Sequence, residues 1–375
     1  MHYRFFLGDA KDVLSTLQAE SVDCIVTSPP YWNLRDYGTA TWEGGDPDCD
    51  HRVRKEPMIV TSTLGGGKST VGHQQEGFNC VCQRCGALRF DRQIGIEPTP
   101  ELYVSRVVDV FREARRVLKS AGTFWLVIDD SYARNGGTPG GGNRELLHLE
   151  GKQHRMCKVP YGGDLKPKDL LGLPWMVAFA LRADGWYLRA DIIWEKPNCL
   201  PESVVDRPTR SHEYVFLFSK SERYYYDIDA IREPYAEDSL ARVKRGRSKK
   251  HKYADGGPGN QTISRDLTNA CSNPKGRNKR TVWTVETQPF DDDHFAVYPP
   301  NLIKPCILAG CPPGGVVLDP FGGSGTTTHV SMMLERDSIY IDLNPNYLEM
   351  ALKRVGFKSR RLFDCHTYEV IRYSA

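Results

Sequence analysis

Thr27-Ser-Pro-Pro-Tyr-Trp32 places two hydroxyls, two consecutive prolines and two aromatic rings at the end of an apolar run. Consecutive prolines fix the backbone and remove two N–H donors, so nearby carbonyls face outward as acceptors. Such a site accepts hydrogen bonds from an amino group and stacks a planar ring. Far along the chain, Val316-Val-Leu-Asp-Pro-Phe-Gly-Gly-Ser-Gly-Thr-Thr327 reads as a buried strand, an acid and a glycine-rich turn that opens a helix. Glycine serves where backbone turns tightly beside a ligand, and a helix start presents unpaired N–H groups. The pattern is Phe321-x-Gly323-x-Gly325, and Thr328 stands where the dinucleotide fingerprint needs a third glycine. The next apolar stretch ends in Ile341-Asp342, where a carboxylate can accept from both hydroxyls of a ribose. A nucleotide-like ligand is expected.

Between residues 38 and 98 hydrophobic periodicity is lost, and Gly, Pro, Cys and His collect. Cys82-x-x-Cys85-Gly86 has the shape of a metal knuckle, and Cys49 with His51 can supply the second ligand pair of a tetrahedral zinc. That pair is unusually close in sequence, and Cys80 competes as a ligand. Free surface thiols are the bland alternative, but a segment lacking its own core is where a metal contributes stability. In the same insertion, Gly65-Gly-Gly-Lys-Ser-Thr70 mimics the end of a phosphate-binding loop. Ser62 occupies the position of that motif's first glycine and no helix pattern follows, so a flexible loop is expected.

Positioning these groups takes alternating strands and helices. Strands are predicted at 3–7, 23–27, 123–128, 188–194, 213–219, 316–319 and 338–341, and helices at 11–17, 173–182, 301–309, 325–335 and 347–355. A further helix is capped by Thr99, opened by Pro100 and stopped by Gly122, with Leu102, Val107, Phe111, Ala114 and Leu118 on its apolar face. Ser28 therefore follows the carboxyl end of a strand, where open α/β sheets bind their ligands. Residues 134–168 are Gly-rich and without periodicity, and no internal repeat is present.

The chain has 375 residues, 40% of them hydrophobic, which excludes disorder as its main state. No run approaches the roughly 18–20 apolar residues of a membrane span, and residues 1–9 lack the apolar core of a secretory signal. A cytoplasmic location is expected. Eleven cysteines, mostly scattered singly, argue against a secreted disulfide framework. The net charge of +3 hides an uneven distribution, because residues 242–280 carry +10 and the remainder −7. A basic stretch of this kind, with Lys249, Lys250 and Lys252, suits polyanion binding through counterion release, and a solvated loop is the alternative.

Ser28-Pro-Pro-Tyr31 together with Asp319-Pro-Phe-Gly-Gly-Ser-Gly325 resembles the exocyclic-amino DNA methyltransferases that use S-adenosyl-L-methionine, and the order, catalytic motif first and cofactor motif last, resembles their circularly permuted β group. The likeness extends over Gly8-Asp9-Ala10, Asp23 to Trp32, Lys168 to Asn198, Pro201 to Val204, His212-Glu-Tyr214, His294-Phe-Ala296, Pro299 to Ile303 and Val316 to Tyr347. It implies a Rossmann-like fold with a seven-stranded, mostly parallel sheet and one antiparallel strand near an edge, and does not require the zinc-binding insertion read from Cys49, His51, Cys82 and Cys85. It divides the chain into a catalytic-motif half at 1–37, the insertion at 38–98, continued catalytic domain at 99–227, a target-recognition segment at 228–292 and a cofactor half at 293–375. Phe321, Gly323 and Gly325 would shape the methionine pocket, Asp319 would sit close to the cofactor, Asp342 would hold the ribose, and Asp9 would lie near the adenine. Phe295 and Ala296 would sit along the methionine side.

In the implied mechanism a base flipped from double-stranded DNA stacks on Tyr31, while Ser28 and the Pro29 carbonyl, fixed by Pro30, accept from its exocyclic amino group. Cys24 is expected to be a core residue with no nucleophilic role. Relatives acting on adenine N6 mostly carry Asp before Pro-Pro and those acting on cytosine N4 mostly carry Ser, with exceptions, so Ser28 favours cytosine N4. Enzymes that modify amides of protein or RNA usually carry Asn at that position. A non-catalytic DNA-binding module is opposed by the intact Asp319, Gly323, Gly325 and Asp342. The resemblance also admits a restriction endonuclease partner.

Overall fold

Alternation along the strands decides the layers. Ile25, Phe124, Leu126, Phe216 and Phe218 bury on one face of a central sheet, whereas Cys24, Val26, Trp125, Val127 and Val215 bury on the other. Both faces must therefore be covered. The computed structural model describes residues 1–32, 35–51, 57–61, 68–73, 81–82, 84–133, 154–155, 165–166, 168–245, 273–288, 298–357 and 367–373. Its main strands are β1 (His2–Leu7), β2 (Val22–Thr27), β3 (Leu118–Ile128), β4 (Tyr187–Glu195), β5 (His212–Ser219), β6 (Val282–Thr284), β7 (Val316–Asp319), β8 (Asp337–Asp342) and β9 (Thr367–Arg372). They form one sheet in the order β6-β4-β5-β3-β2-β7-β8-β1-β9. Strand β5 runs antiparallel to both β3 and β4, and every other neighbouring pair is parallel.

Helices α1 (Ala10–Thr16), α2 (Pro100–Val117) and α3 (Leu173–Ala183) cover one face through Val13, Leu14, Val107, Phe111 and Val177. After α4 (Glu237–Arg245), helices α5 (Pro300–Gly310), α6 (Thr326–Met333) and α7 (Pro345–Arg354) cover the other through Leu302, Ile307, Val330, Leu348 and Ala351. No helix among the described residues is long and apolar enough to cross a membrane.

All seven predicted strands are present, but the expected count of seven is corrected to nine by β6 and β9. Both are edge strands, β6 only three residues long and β9 largely exposed, so backbone ladders hold them and no apolar alternation marks them. Two details of α2 also change. Its helix ends at Val117, since Leu118 already begins β3, and Gly122 lies within that strand. Val107, Phe111, Ala114 and Leu118 bury as expected, but Leu102 is exposed, and Tyr103 and Val104 bury in its place because they fall on the same i, i+4 stripe. The cap is as expected, with Thr99 Oγ1 accepting from the Leu102 N–H at 3.3 Å. Lys68–His73 is a strand paired antiparallel with Pro57–Thr61. Lys68 to Thr70 are thus neither phosphate loop nor flexible loop.

Candidate functional site

Strands β2, β7, β8 and β1 stand side by side and parallel, so the turns following their carboxyl ends share one edge of the sheet. Chain segments that begin and end the sequence meet there: Ser28 follows β2, Phe321 follows β7, Asp342 ends β8 and Asp9 follows β1. They line a solvent-open cleft together with Tyr298, Asn344 and Tyr347. A concave site at the carboxyl ends of parallel strands is where such sheets take ligands.

The glycine turn is held by its own neighbourhood. Gly323 donates its N–H to Asp342 Oδ2 at 2.8 Å, and its carbonyl accepts from the Tyr340 hydroxyl at 2.8 Å. Asp342 Oδ1 accepts from the Asn344 N–H at 2.7 Å. Each carboxylate oxygen keeps acceptor capacity toward the cleft, as a diol ligand requires. Burial pushes the Asp342 carboxyl up to about 7. Gly323 and Gly325 both have positive φ, at 50° and 77°. A Cβ on Gly325 would stand 2.7 Å from the Ala351 Cβ of α7, so helix packing as well as the turn demands glycine there.

Not every expected cofactor residue reaches the cleft wall. Gly325 and Asp319 are absent from it, whereas Phe321, Gly323, Asp342 and Asp9 line it. Asp319 is 1% exposed and ties three segments together, accepting from Thr27 Oγ1 at 2.6 Å, Tyr298 OH at 3.0 Å and the Phe321 N–H at 3.1 Å. Asp9 both faces the cleft and caps α1. Phe295 and Ala296 lie outside the described residues.

Side chains from distant strands hold the proline turn. Tyr31 donates its hydroxyl to Glu213 Oε2 at 2.6 Å, and the Ser28 hydroxyl lies 3.4 Å from the Tyr31 oxygen. Glu213 is buried and pairs with Lys196, while Asp129 at the end of β3 pairs with Arg210. Burial and repulsion from Glu213 push the Asp129 carboxyl up to about 7. Tyr103 donates to the Pro30 carbonyl at 3.0 Å, whereas the Pro29 carbonyl has no donor among the described residues. The proline turn thus presents one free carbonyl and one hydroxyl beside an oriented phenol. Cys24 is fully buried in the core beside Thr123, and burial pushes its thiol well up.

Sequence reasoning assigned no role to Glu213, Asp129, Lys196, Arg210 or Tyr298. The available signal was a charged residue opening the otherwise apolar β5 (Glu213-Tyr-Val-Phe-Leu-Phe) and two acids ending the apolar β3.

Away from the sheet edge, Cys49, His51, Cys82 and Cys85 come together with all four ligand atoms within 4.8 Å of one another. The Cys49 and Cys82 sulfurs are 3.8 Å apart. That exceeds a disulfide, and it matches the roughly 3.8 Å edge of a tetrahedron whose ligands stand about 2.3 Å from a metal. Burial and the flanking thiols of Cys85 and Cys82 push the Cys49 thiol up to about 12. Cys80 lies outside the described residues, as do Lys249, Lys250 and Lys252. Elsewhere in the basic stretch, Arg277, Lys279 and Arg280 converge on Glu233, and Lys275 pairs with Asp229. Those four cations share two acids, and Asp229 also pairs with Arg232, so the group keeps a positive surplus.

A mostly parallel sheet covered on both faces, with a glycine turn and a prolyl acceptor turn at one carboxyl edge, is the architecture of the nucleotide-dependent α/β transferases. Residues 22–353 match the family model described as DNA methylase, of the N6/N4 type, and the chain belongs to this family of exocyclic-amino DNA methyltransferases. It is 39% identical over 353 residues to the Type II methyltransferase M.SmaI of Serratia marcescens, covering 94% of this chain and 90% of the relative. It is 40% identical over 355 residues to M.Cfr9I of Citrobacter freundii, covering 93% and 86%. Two solved structures share the fold, each with a TM-score of 0.52: a putative DNA modification methylase of Thermus thermophilus in complex with S-adenosyl-L-methionine, at 17% identity over 100% and 99% of the chains, and the cytosine-N4-specific PvuII DNA methyltransferase, at 15% over 96% and 90%.

Proposed function

We propose that this DNA methyltransferase moves a methyl group from S-adenosyl-L-methionine to N4 of a cytosine flipped out of double-stranded DNA, with N6 of adenine as the alternative. The observation that carries the reading is the meeting of Ser28–Tyr31 with Phe321, Gly323 and Asp342 in one cleft, although the two groups lie about 290 residues apart in the chain. S-adenosyl-L-methionine supplies a methyl carried on a sulfonium. Asp342 holds the ribose hydroxyls, Phe321 and Gly323 shape the methionine side, and Asp9 lies toward the adenine. Gly325 and Asp319 act one layer behind, fixing the turn.

The base stacks on Tyr31, whose phenol is pinned by Glu213. Its amino group donates to Ser28 Oγ and to the Pro29 carbonyl, the one left open once Tyr103 takes Pro30. Those two acceptors draw the nitrogen lone pair out of conjugation and aim it at the methyl, so catalysis is positioning plus electrostatics. The Ser28 hydroxyl favours cytosine on the family pattern. Incubating the protein with methyl-labelled S-adenosyl-L-methionine and DNA, then digesting to nucleosides, tests this directly. Labelled N4-methylcytosine is expected, and N6-methyladenine alone would reverse the base assignment.

The 228–292 segment is proposed to read the target sequence, with Lys249, Lys250 and Lys252 on phosphates. Similarity to M.SmaI and M.Cfr9I supports a Type II modification role opposite a restriction endonuclease. Zinc is the proposed occupant of the Cys49, His51, Cys82, Cys85 cluster, since a donor set of three thiolates and one imidazole suits it.

A further inference from the structure

We infer that the metal centre braces the outer wall of the cofactor cleft, so that metal occupancy sets the affinity for S-adenosyl-L-methionine; this rests on the metal reading proposed above. The chain leaves the cleft wall at Tyr37 and Thr39 and returns to it at Arg92, Gln93 and Ile94. Between those points the two arms run together as a narrow ladder, Thr41–Glu43 against Leu88–Phe90. The four metal ligands sit just beyond it, Cys49 and His51 after the first strand, Cys82 and Cys85 before the second. A metal there closes the far end of the ladder.

Cleft residues are tied to that ladder. Thr39 Oγ1 donates to Asp91 Oδ1 at 3.1 Å, the Gln93 N–H donates to the same oxygen at 3.0 Å, and the Tyr37 N–H donates to Gln93 Oε1 at 2.8 Å. The far end is tight, because Gly45 packs so closely that a Cβ on it would stand 2.8 Å from Cys85 Sγ. His51 stacks on Trp42 of the ladder, with ring centroids 4.6 Å apart.

Among the described residues little apolar burial holds the ladder beyond Cys82 and Ala87. Each ladder strand is three residues long, and Leu88, Phe90 and Val81 are 53%, 40% and 51% exposed. An isolated ladder of that size is marginal in water, and a metal cross-link at its far end stabilises it. By contrast, the base of the return arm is fixed to the body: Arg106 pairs with Glu97 at 2.9 Å and donates to the Gln93 and Arg92 carbonyls, and Trp32 donates to the Glu97 carbonyl at 2.8 Å. Tyr37 is held to the body by the Asn344 amide and the Tyr347 ring, so loss of metal loosens Thr39 and the outer arm while the sheet stays folded.

The test uses the full chain and zinc as the probe. Zinc content is measured, then S-adenosyl-L-methionine is titrated calorimetrically into loaded, chelator-stripped and re-zinced protein, with circular dichroism reporting the fold. Stripping should weaken cofactor binding roughly five- to a hundred-fold, the range of ordinary site-to-site coupling, and re-zincing should restore it. Coupling is reciprocal, so saturating S-adenosyl-L-methionine should protect zinc from the chelator by the same factor. Asp91→Ala replaces a residue that is neither a metal ligand nor part of the cleft lining, and it cuts the ties that run from Asp91 to Thr39 and Gln93. It should keep its zinc yet bind the cofactor more weakly, which keeps the inference testable if stripped protein unfolds. Protein that takes up no zinc would remove the metal reading itself. Zinc that is bound, with cofactor affinity unchanged on stripping or in Asp91→Ala, would leave that reading intact and overturn the brace.

Discussion

The glycine turn after β7 and the proline turn after β2 sit on neighbouring strands and face one cleft, yet they are held in opposite ways. Bonds that fix Gly323 come from Asp342 and Tyr340, at most 19 residues away. Those that fix Ser28–Tyr31 come from Glu213, 182 residues from Tyr31, and from Tyr103, 73 residues from Pro30. The first is a binding cassette held mainly from within its own stretch of chain, with the bond from Thr27 to Asp319 reaching outside it. The second is an assembly that exists only when strands β3 and β5, the insertion and α2 are all in place. Binding and chemistry should therefore separate under mutation.

The largest effect is expected at the proline turn. Ser28→Ala removes an acceptor that acts on the amino group only as it reacts, and loss of one such preorganised group costs about 10²- to 10³-fold in kcat. S-adenosyl-L-methionine affinity should stay within about twofold, because the cassette is untouched. A matching fall in cofactor affinity would mean that the two turns are one unit. Next comes Asp342→Ala, which removes a charged acceptor and should weaken the cofactor roughly ten- to a hundred-fold by calorimetry. Unchanged affinity in a folded variant would place the ribose elsewhere.

The same contrast explains what could be read in advance. Phe321, Gly323 and Asp342 were legible because a strand, a turn, a helix and the next strand fall in a single window, and each has a periodicity or a forced glycine. Ser28 and Tyr31 were legible through their prolines. Glu213 and Asp129 carried no role in the sequence, because their significance lies in pairing with Lys196, Arg210 and Tyr31 across three strands, and no local pattern encodes a strand order. Asp319 was placed beside the cofactor, but the hydroxyls that saturate it, on Thr27 and Tyr298, come from the two chain halves that the permuted order brings together. Strands β6 and β9 escaped notice because edge ladders need no apolar alternation.

Glu213→Gln is the sharper probe of the assembled turn. Its carboxylate accepts from the Tyr31 phenol and pairs with Lys196. An amide of the same shape keeps the volume but exchanges a charge-assisted bond for a neutral one, a loss of about 1.4 to 2 kcal/mol, or roughly ten- to thirtyfold. The loss should fall on kcat with cofactor affinity unchanged. An unaltered kcat would reduce the Tyr31 hydroxyl bond to packing alone.

The smallest predicted effect is the pH dependence of cofactor binding, and it belongs to the cassette. In the ligand-free chain, burial holds the proton on Asp342 up to about pH 7. Ribose hydroxyls donate to the ionised carboxylate, so the ligand favours the charged form and lowers that pKa. Below pH 7 binding must expel a proton; above it the carboxylate is ready. Affinity should therefore rise as pH increases from 6 to 8, by about tenfold for one group titrating at 7, and level off beyond. The amino group of the ligand itself titrates at about 7.7–8.0, so the informative quantity is the difference from Asp342→Asn, which cannot ionise. The variant should bind weakly and lose the rise between pH 6 and 7.5, with Glu213→Gln keeping it. A parallel slope in parent and Asp342→Asn would assign the titration to some other group and detach Asp342 from the ribose.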